Sequence, residues 1–442
     1  MNLIHSGLLK RLSEKYRIHL LSTLIGKPEI QQLNRYHEMN VNLIDAKIAH
    51  EHFLLKILRR CEKLLFSFVF EIETQEIKLL CRNKMFQKGF SCVRNARILR
   101  FIADISLRWF RNAIILLSKR LTSLPELAGY HFDGVISTSP LDIRENCIVN
   151  FLVTNKIRSM AMVISWDNLT SKGMMNANHE YVLVWNQLMA AEYHRFYNAF
   201  GFPAKVCITG IPRFDRYFET SNDTRSKKDF CRQFQIPETH KIILFATSAR
   251  KHFRSQMLIA KHVIEYLQLH TDLTLVIRCH PDDPIDAYQQ LAEPRIRIWH
   301  PGNRTYLNAR TFSDWLPPFD FLHSLHEMLR NCDTCIQVAS TIRLDAAACG
   351  KPIISIAYDD PEDTPYTESV RRLYDYSHQL PLNQLHVDTM VHRKQQLFNA
   401  LNNALARTEL LNKPQDKIRL FTHFTQPKSV ETVLKYVDEW LK

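Results

Sequence analysis

His280 is fixed in place by its neighbours. It follows the apolar run Leu273–Arg278 and precedes Pro281, which has no N–H to donate and so ends a strand. An imidazole at the end of a buried strand can hydrogen-bond a phosphate or ribose oxygen without carrying a full charge, and Arg278 and Cys279 share its turn. Two other polar turns stand in the same relation to apolar runs. Thr247-Ser248-Ala249-Arg250-Lys251 follows Ile242–Ala246; its hydroxyls, backbone N–H groups and two cations suit a phosphate, although a solvated polar turn has the same composition. Ser340-Thr341 follows Thr334–Val338 and opens the helix-like stretch Ile342–Cys349, which carries Asp345. There Thr341 is the expected N-cap, Gly350 the expected residue past the end, and Pro352 the stop. A helix start offers unpaired N–H groups and partial positive charge to a pyrophosphate.

In the first half, Ser165-Trp166-Asp167-Asn168 follows the apolar run Ala161–Ser165. A carboxylate beside a Trp gains basicity through desolvation, so Asp167 is the candidate general base for an acceptor hydroxyl; a turn-forming Asp-Asn pair is the structural alternative. His131 and Asp133 precede a strand and fall at the wrong edge for such work. Asp215 is assigned to the loop that closes the first domain.

The elements that must hold these residues alternate. A helix over Gly7–Lys15 is followed by strands at Ile18–Thr23, Gly134–Thr138, Ala161–Ser165, Tyr181–Trp185 and Val206–Gly210. After a polar stretch the alternation restarts, with strands at Ile242–Ala246, Leu273–Arg278, Ile296–Trp299, Thr334–Val338 and Pro352–Ala357, and helices at Met257–Leu269, Ile285–Leu291, Phe321–Cys332 and Ile342–Cys349. Short apolar strands separated by helix-length segments specify β-α-β units and parallel sheets. Two such runs in 442 residues predict an α/β chain of two Rossmann-like domains facing a cleft, with ligands beyond the carboxyl ends of the strands. The expected division is a first domain over 1–218 with a helical insertion at about 46–121, an interdomain region over 219–240, a second domain over 241–400, and C-terminal helices over 401–442 that pack back on the first domain.

Charge narrows the function classes. Of a net charge of +13, +9 lies between Val41 and Pro125. Within that region Ser106–Lys119 reads as a basic amphipathic helix, with Trp109, Phe110, Ile114, Ile115 and Leu117 available for burial. Basic and aromatic residues together suit an anionic membrane surface, and packing on its own domain is the plainer alternative. A basic nucleic-acid-binding protein fits the net charge, but the sequence contains no recognisable nucleic-acid module. No stretch is long and apolar enough for a spanning helix. The ten cysteines are scattered through apolar contexts and read as reduced thiols; Cys332 and Cys335 form a C-x-x-C without a second pair. The acidic pairs Asp282-Asp283 and Asp359-Asp360 read as a turn and a strand end. The expectation is therefore catalysis with no metal and no cofactor.

The order strand–His-Pro, Ser-Thr–helix, Gly-Lys-Pro–strand, here LVIRCHP and CIQVASTIRLDAAACGKPIISIAYD, resembles the donor domain of GT-B glycosyltransferases. It is similar in style to CDP-glycerol glycerophosphotransferases and to bacterial sialyl- and Kdo-transferases. The segment YVLVWNQLMAAEYHRFYNAFGFPAKVCITGIPRFDRY resembles the end of the first domain in that superfamily. The resemblance runs from about Phe132 to Asp360. It implies a transferase that moves a sugar or related group from a nucleotide-activated donor to a surface-polysaccharide or lipid-linked acceptor, in the cytoplasm or peripherally on the inner-membrane face. It places donor phosphates near Thr247, Ser248, Arg250, Arg278, His280, Ser340, Thr341 and Asp345, with Asp167 and His280 catalytic. A nucleotide-sugar 2-epimerase or hydrolase is the enzymatic alternative. Those epimerases carry Ser-Gly-Gly and a following Glu, where this chain has Ser340-Thr341-Ile342 and Asp345. The chain is also expected to begin inside the usual first β-α unit.

Overall fold

The computed structural model describes residues 2–46, 52–80, 97–219, 226–249, 252–281, 283, 285–301, 316–359, 364–406 and 414–442. In chain order the strands are β1 (Ile18–Leu21), β2 (Val41–Ile44), β3 (Gly134–Ser137), β4 (Arg158–Met162), β5 (Tyr181–Val184), β6 (Lys205–Ile208), β7 (Lys241–Ala246), β8 (Leu273–Arg278), β9 (Ile296–Trp299), β10 (Thr334–Gln337), β11 (Ile353–Ile356) and β12 (Thr389–Val391). They form a β1-β2 pair, a sheet β3-β4-β5-β6 and a sheet β12-β11-β10-β7-β8-β9, with every pairing parallel. Sheets covered by helices on both faces need strands that are apolar throughout. β8 and β10 have every residue buried, with Thr274, Arg278, Thr334 and Gln337 as the polar exceptions, and β7 has all but Lys241 buried.

The order of the larger sheet positions the site. From β7 the chain winds outward through β8 and β9, then returns to the other side of β7 as β10 and winds the opposite way. The strand order therefore reverses between β7 and β10, and the crevice outside their carboxyl ends is where a doubly wound sheet binds ligand. β4 lies three residues earlier than the apolar pattern suggests, in register from Gly134↔Arg158 to Ser137↔Ala161. Val163 adds one further bond to Leu183, and Ser165–Asp167 then stand clear of the ladder, entering the short helix Asn168–Ser171.

The region read as one long helical stretch contains the helices Phe53–Val69, Glu73–Leu80 and Arg97–Leu121. Phe66 and Leu107 enter the core shared with Trp166 and Met175. Arg111, within the expected basic face, instead turns inward: its guanidinium donates to the Met175 carbonyl (3.2 Å) and Asn178 Oδ1 (2.8 Å). The outer face remains apolar, with Phe53, Ile98, Phe101 and Trp109 each at least 60% exposed.

The helix Ser429–Leu441 lies on the first sheet, where Val433, Leu434, Val437 and Trp440 pack with Leu8, Met160, Met162 and Leu183. The Asp215 carboxylate accepts from the N–H groups of Ser429 (3.0 Å) and Val430 (2.8 Å), capping that helix from a distance. Gly134 leaves room for Trp440, since a Cβ there would stand 2.3 Å from the indole ring. Gly134→Ala is therefore expected to displace the C-terminal helix and cost about 1–3 kcal/mol. A lower urea midpoint checks this, and an unchanged midpoint would contradict the seating.

Candidate active site

β7, β8 and β10 are neighbours and parallel, so the turns after them share one edge, their strand tips within about 10 Å. Thr247, His280 and Ser340-Thr341 are thereby placed along one sheet edge around the switch point. The turn after β7 is built by internal bonds. Thr247 Oγ1 donates to the Asp283 carboxylate and accepts from the His280 backbone N–H (2.7 Å). Gln256 accepts from the Ser248 N–H and donates to the other Asp283 oxygen, both at 2.9 Å. Asp283 is buried, which pushes its carboxyl up against these hydrogen bonds. The Thr247 hydroxyl thus anchors the backbone of His280, a different task from the expected direct phosphate contact. Arg250 lies outside the described residues.

The turn after β10 is tightly held. Ala339 adopts φ 33°, a left-handed value that costs a non-glycine residue energy. Its N–H donates to the Tyr374 hydroxyl (3.1 Å) and its carbonyl accepts from Gln379 Nε2 (3.0 Å). The Ser340 N–H donates to Gln337 Oε1 (3.0 Å). The helix that follows, Ile342–Ala348, has seven residues, and the expected Thr341 side-chain cap does not form. Ser340 Oγ instead accepts a long bond (3.4 Å) from the Ile342 N–H. Both hydroxyl residues remain half-buried at the edge.

Two expected donor contacts are engaged elsewhere. Asp345 is buried and forms a two-pronged ion pair with Arg213 of the first lobe, one arm at 3.0 Å, and it accepts from the Tyr217 hydroxyl at 2.7 Å. Arg213 lies in the turn Pro212–Phe214 just after β6, so this carboxylate ties lobe to lobe. Burial alone would weaken the Arg213 proton, but Asp345 and Tyr217 hold its pKa above the ordinary value. Arg278 is also buried, its guanidinium 5.0 Å from the ring centroids of both Trp299 and Phe321. Burial lowers its pKa to about 10, and its Nε has no hydrogen-bond partner.

Asp167 accepts from Ser165 Oγ (2.5 Å) and Ser171 Oγ (2.6 Å). Burial would raise its pKa, but His378 and the two hydroxyls, with Lys172, outweigh that and hold it below the ordinary carboxylate value. Its environment therefore keeps it ionised, opposite to the raised basicity expected from the neighbouring Trp. Glu192, on the helix Gln187–Tyr197, goes the other way: burial, aided by the Asp167 charge and opposed by Arg195, raises it to about 8. His378 and Glu192 carried no motif; one lies in an irregular stretch and the other in an ordinary amphipathic helix. Burial likewise pushes the Cys332 thiol to about 12, and Cys335 is raised well above its usual value, so the C-x-x-C sulfurs are held as thiols. Among the described residues no group of three or more His, Cys, Asp or Glu converges.

Fold and site together define a two-lobed α/β scaffold of the GT-B kind, with one polar edge in each lobe. Residues 158–439 match the family described as CDP-Glycerol:Poly(glycerophosphate) glycerophosphotransferase, and the chain belongs to it. Over 197 residues it is 23% identical to the teichoic acid poly(ribitol-phosphate) polymerase of Bacillus spizizenii, a stretch covering 44% of this chain and 29% of that protein. The chain thus matches less than a third of that relative's length. Among solved structures, a putative UDP-N-acetylglucosamine 2-epimerase from Listeria monocytogenes is similar at a TM-score of 0.55 and 12% identity, over 99% of this chain and 93% of that one. The S. aureus MnaA–UDP complex is similar at 0.52 and 12%, over 100% and 94%. At this identity the likeness speaks for the fold alone.

Removing one partner of a buried ion pair strands the other charge. Asp345→Ala is therefore expected to cost about 3–5 kcal/mol in unfolding experiments, and the double variant Arg213→Met/Asp345→Leu to recover most of the loss. Equal destabilisation by the single and double variants would contradict this account of the pair.

Proposed function

We propose that the chain transfers a sugar or a glycerophosphate-like group from a nucleotide-activated donor to a hydroxyl of a surface-polysaccharide or lipid-linked acceptor, without a required metal. The observation that supports the reading is the switch-point edge, where His280, its backbone held by Thr247, lies on the same sheet edge as the half-buried Ser340 and Thr341 in a chain of this family. These groups stabilise the charge that collects on the leaving nucleotide phosphate. From the other lobe, Asp167 serves removal of the acceptor proton.

A thermal-shift panel of CMP, CDP, UDP and GDP tests the donor site. One nucleotide at a hundredfold excess over Kd should stabilise the chain by about 2.7 kcal/mol, and His280→Ala should abolish that shift. No stabilisation by any of the four would overturn the reading. Asp167→Asn should lower kcat far more than donor affinity, and equal losses in both would make it a binding residue.

The acceptor side is proposed to work at the cytoplasmic face of a membrane. No helix among the described residues is long and apolar enough to cross one. The outward Phe53, Ile98, Phe101 and Trp109 lie on helices that also expose Lys56, Arg60, Lys119 and Arg120. Exposed apolar side chains and cations on the same helices match an anionic lipid surface. The chain should sediment with phosphatidylglycerol vesicles, be released by salt, and lose most binding on Phe101→Asp/Trp109→Asp. Equal retention on DNA would favour a nucleic-acid partner instead.

A further inference from the structure

His378 is a buried titratable group that the reading above does not use. It belongs to the second lobe yet lies against the first, its ring centroid 5.0 Å from that of Trp166, edge to face. Its Nδ1 is buried and has no hydrogen-bond partner, although the ring as a whole is only half-buried.

The neighbours of His378 connect it to both reacting sides. The next residue, Gln379, donates to the Ala339 carbonyl (3.0 Å), one residue before Ser340 in the donor turn. Gln379 in turn accepts from the fully buried Arg343 (2.7 Å), which also holds Asn383 (2.8 Å) and Asp388 (2.9 Å). The preceding residue, Ser377, exchanges bonds with Thr74: the Thr74 N–H donates to Ser377 Oγ (3.2 Å), and the Ser377 N–H donates to Thr74 Oγ1 (2.9 Å). Gln75, next along the same helix, donates to the Thr170 carbonyl (3.0 Å) in the short helix after Asp167. The backbone on either side of His378 is thus tied to the donor turn through Gln379 and, through Thr74 and Gln75, to the loop that carries Asp167.

We propose that His378 receives the proton of the acceptor hydroxyl, with the Asp167 carboxylate stabilising the imidazolium that forms. This rests on the transferase reading. In the step, the acceptor O–H bond breaks and its proton goes to the imidazole. The acceptor oxygen bonds to the transferred group, and the bond from that group to the nucleotide phosphate breaks with its electron pair leaving on the nucleotide. The surroundings keep the ring unprotonated and so able to accept. Burial keeps the imidazole neutral at pH 7, its pKa lowered to about 4, with Asp167 opposing and Lys78 aiding that shift. A neutral ring can take a proton, and an ionised carboxylate beside it lowers the energy of the charged product. Glu192, held protonated near Asp167, adds no second negative charge at neutral pH.

The test uses the full chain and the donor whose nucleotide stabilises it, with nucleotide release as the rate. His378→Gln should lower kcat by about 10²–10³-fold while leaving the nucleotide-induced thermal shift intact. The double variant His378→Gln/Asp167→Asn should be no more than about threefold slower than the worse single variant, because the two act as a unit. The wild-type fall in kcat at low pH should vanish in His378→Gln. A variant that binds nucleotide and turns over within threefold of wild type, or multiplicative losses in the double variant, would overturn the proposal and leave the transferase reading standing. Failure of wild type to bind any nucleotide would remove both. His378→Asn repeats the measurement if the Gln variant does not fold.

Discussion

The buried pairing of Arg213 and Asp345 is the constraint on which the cleft depends. One charge belongs to the turn that ends the first sheet, the other to the helix that begins at the switch point of the second. Neither can be left alone in an interior of low polarity, so each lobe is completed only by the other. The Tyr217 hydroxyl fills a further acceptor position on Asp345, and Arg278 stands near enough for its charge to be felt by the same carboxylate. Because Asp345 follows Ser340 and Thr341 within two helical turns, the pair fixes where the donor turn lies relative to the first lobe. A swing of one lobe against the other would have to break it or carry it along.

Around that clamp the cleft separates its titratable groups by environment. Asp167 is drawn down by the imidazole and by two serine hydroxyls, while Glu192 is pushed up to about 8 by burial and by the Asp167 charge. Two carboxyls of one lobe therefore hold different protonation states at neutral pH. Environments that push such groups apart are how one site assigns acid and base roles. Behind the donor turn the order is different in kind: Arg343, Gln337, Gln379, Asn383, Ser355 and Asp388 form a polar network in which each member supports a neighbour. Such a network, in which only Arg343 Nε among these side-chain groups is left without a partner, rigidifies what it holds, here the left-handed Ala339 and the turn that follows.

The fold was legible where burial on two faces gives a strand a run of apolar residues, as in β7 and β8. β2 and β12 escaped because they are short and part-exposed, leaving no run to read. At the site, strand ends located His280, Ser340 and Asp167, since position alone decides what lies beyond a carboxyl edge. What could not be read was partnership. Asp345 looked like a donor contact because Arg213 is 132 residues away, and Thr247 looked free because Asp283 meets it only after the turn closes. The sequence predicts a raised pKa for Asp167 beside Trp166, but His378, which comes from the other lobe, and two serine hydroxyls draw it down instead. Local sequence reports which residues reach an edge, and the fold alone reports which of them are already occupied.

The helical region adds a further step. It lies before residue 158, outside the part of the chain that matches the family, yet it is not an appendage. Phe66 and Leu107 complete the core around Trp166, and Arg111 is buried beneath it with bonds to Met175 and Asn178. Its helix Glu73–Leu80 reaches the second lobe through Thr74 and Ser377 and the first through Gln75 and Thr170. A layer whose outer face is apolar and basic is thus bonded, at its inner end, to the loops that carry Asp167 and His378. Rigid elements transmit position, so whatever seats the outer face would also fix the orientation of the cleft relative to it. That coupling needs no moving part, only the hydrogen bonds already in place between this helix and the two lobes.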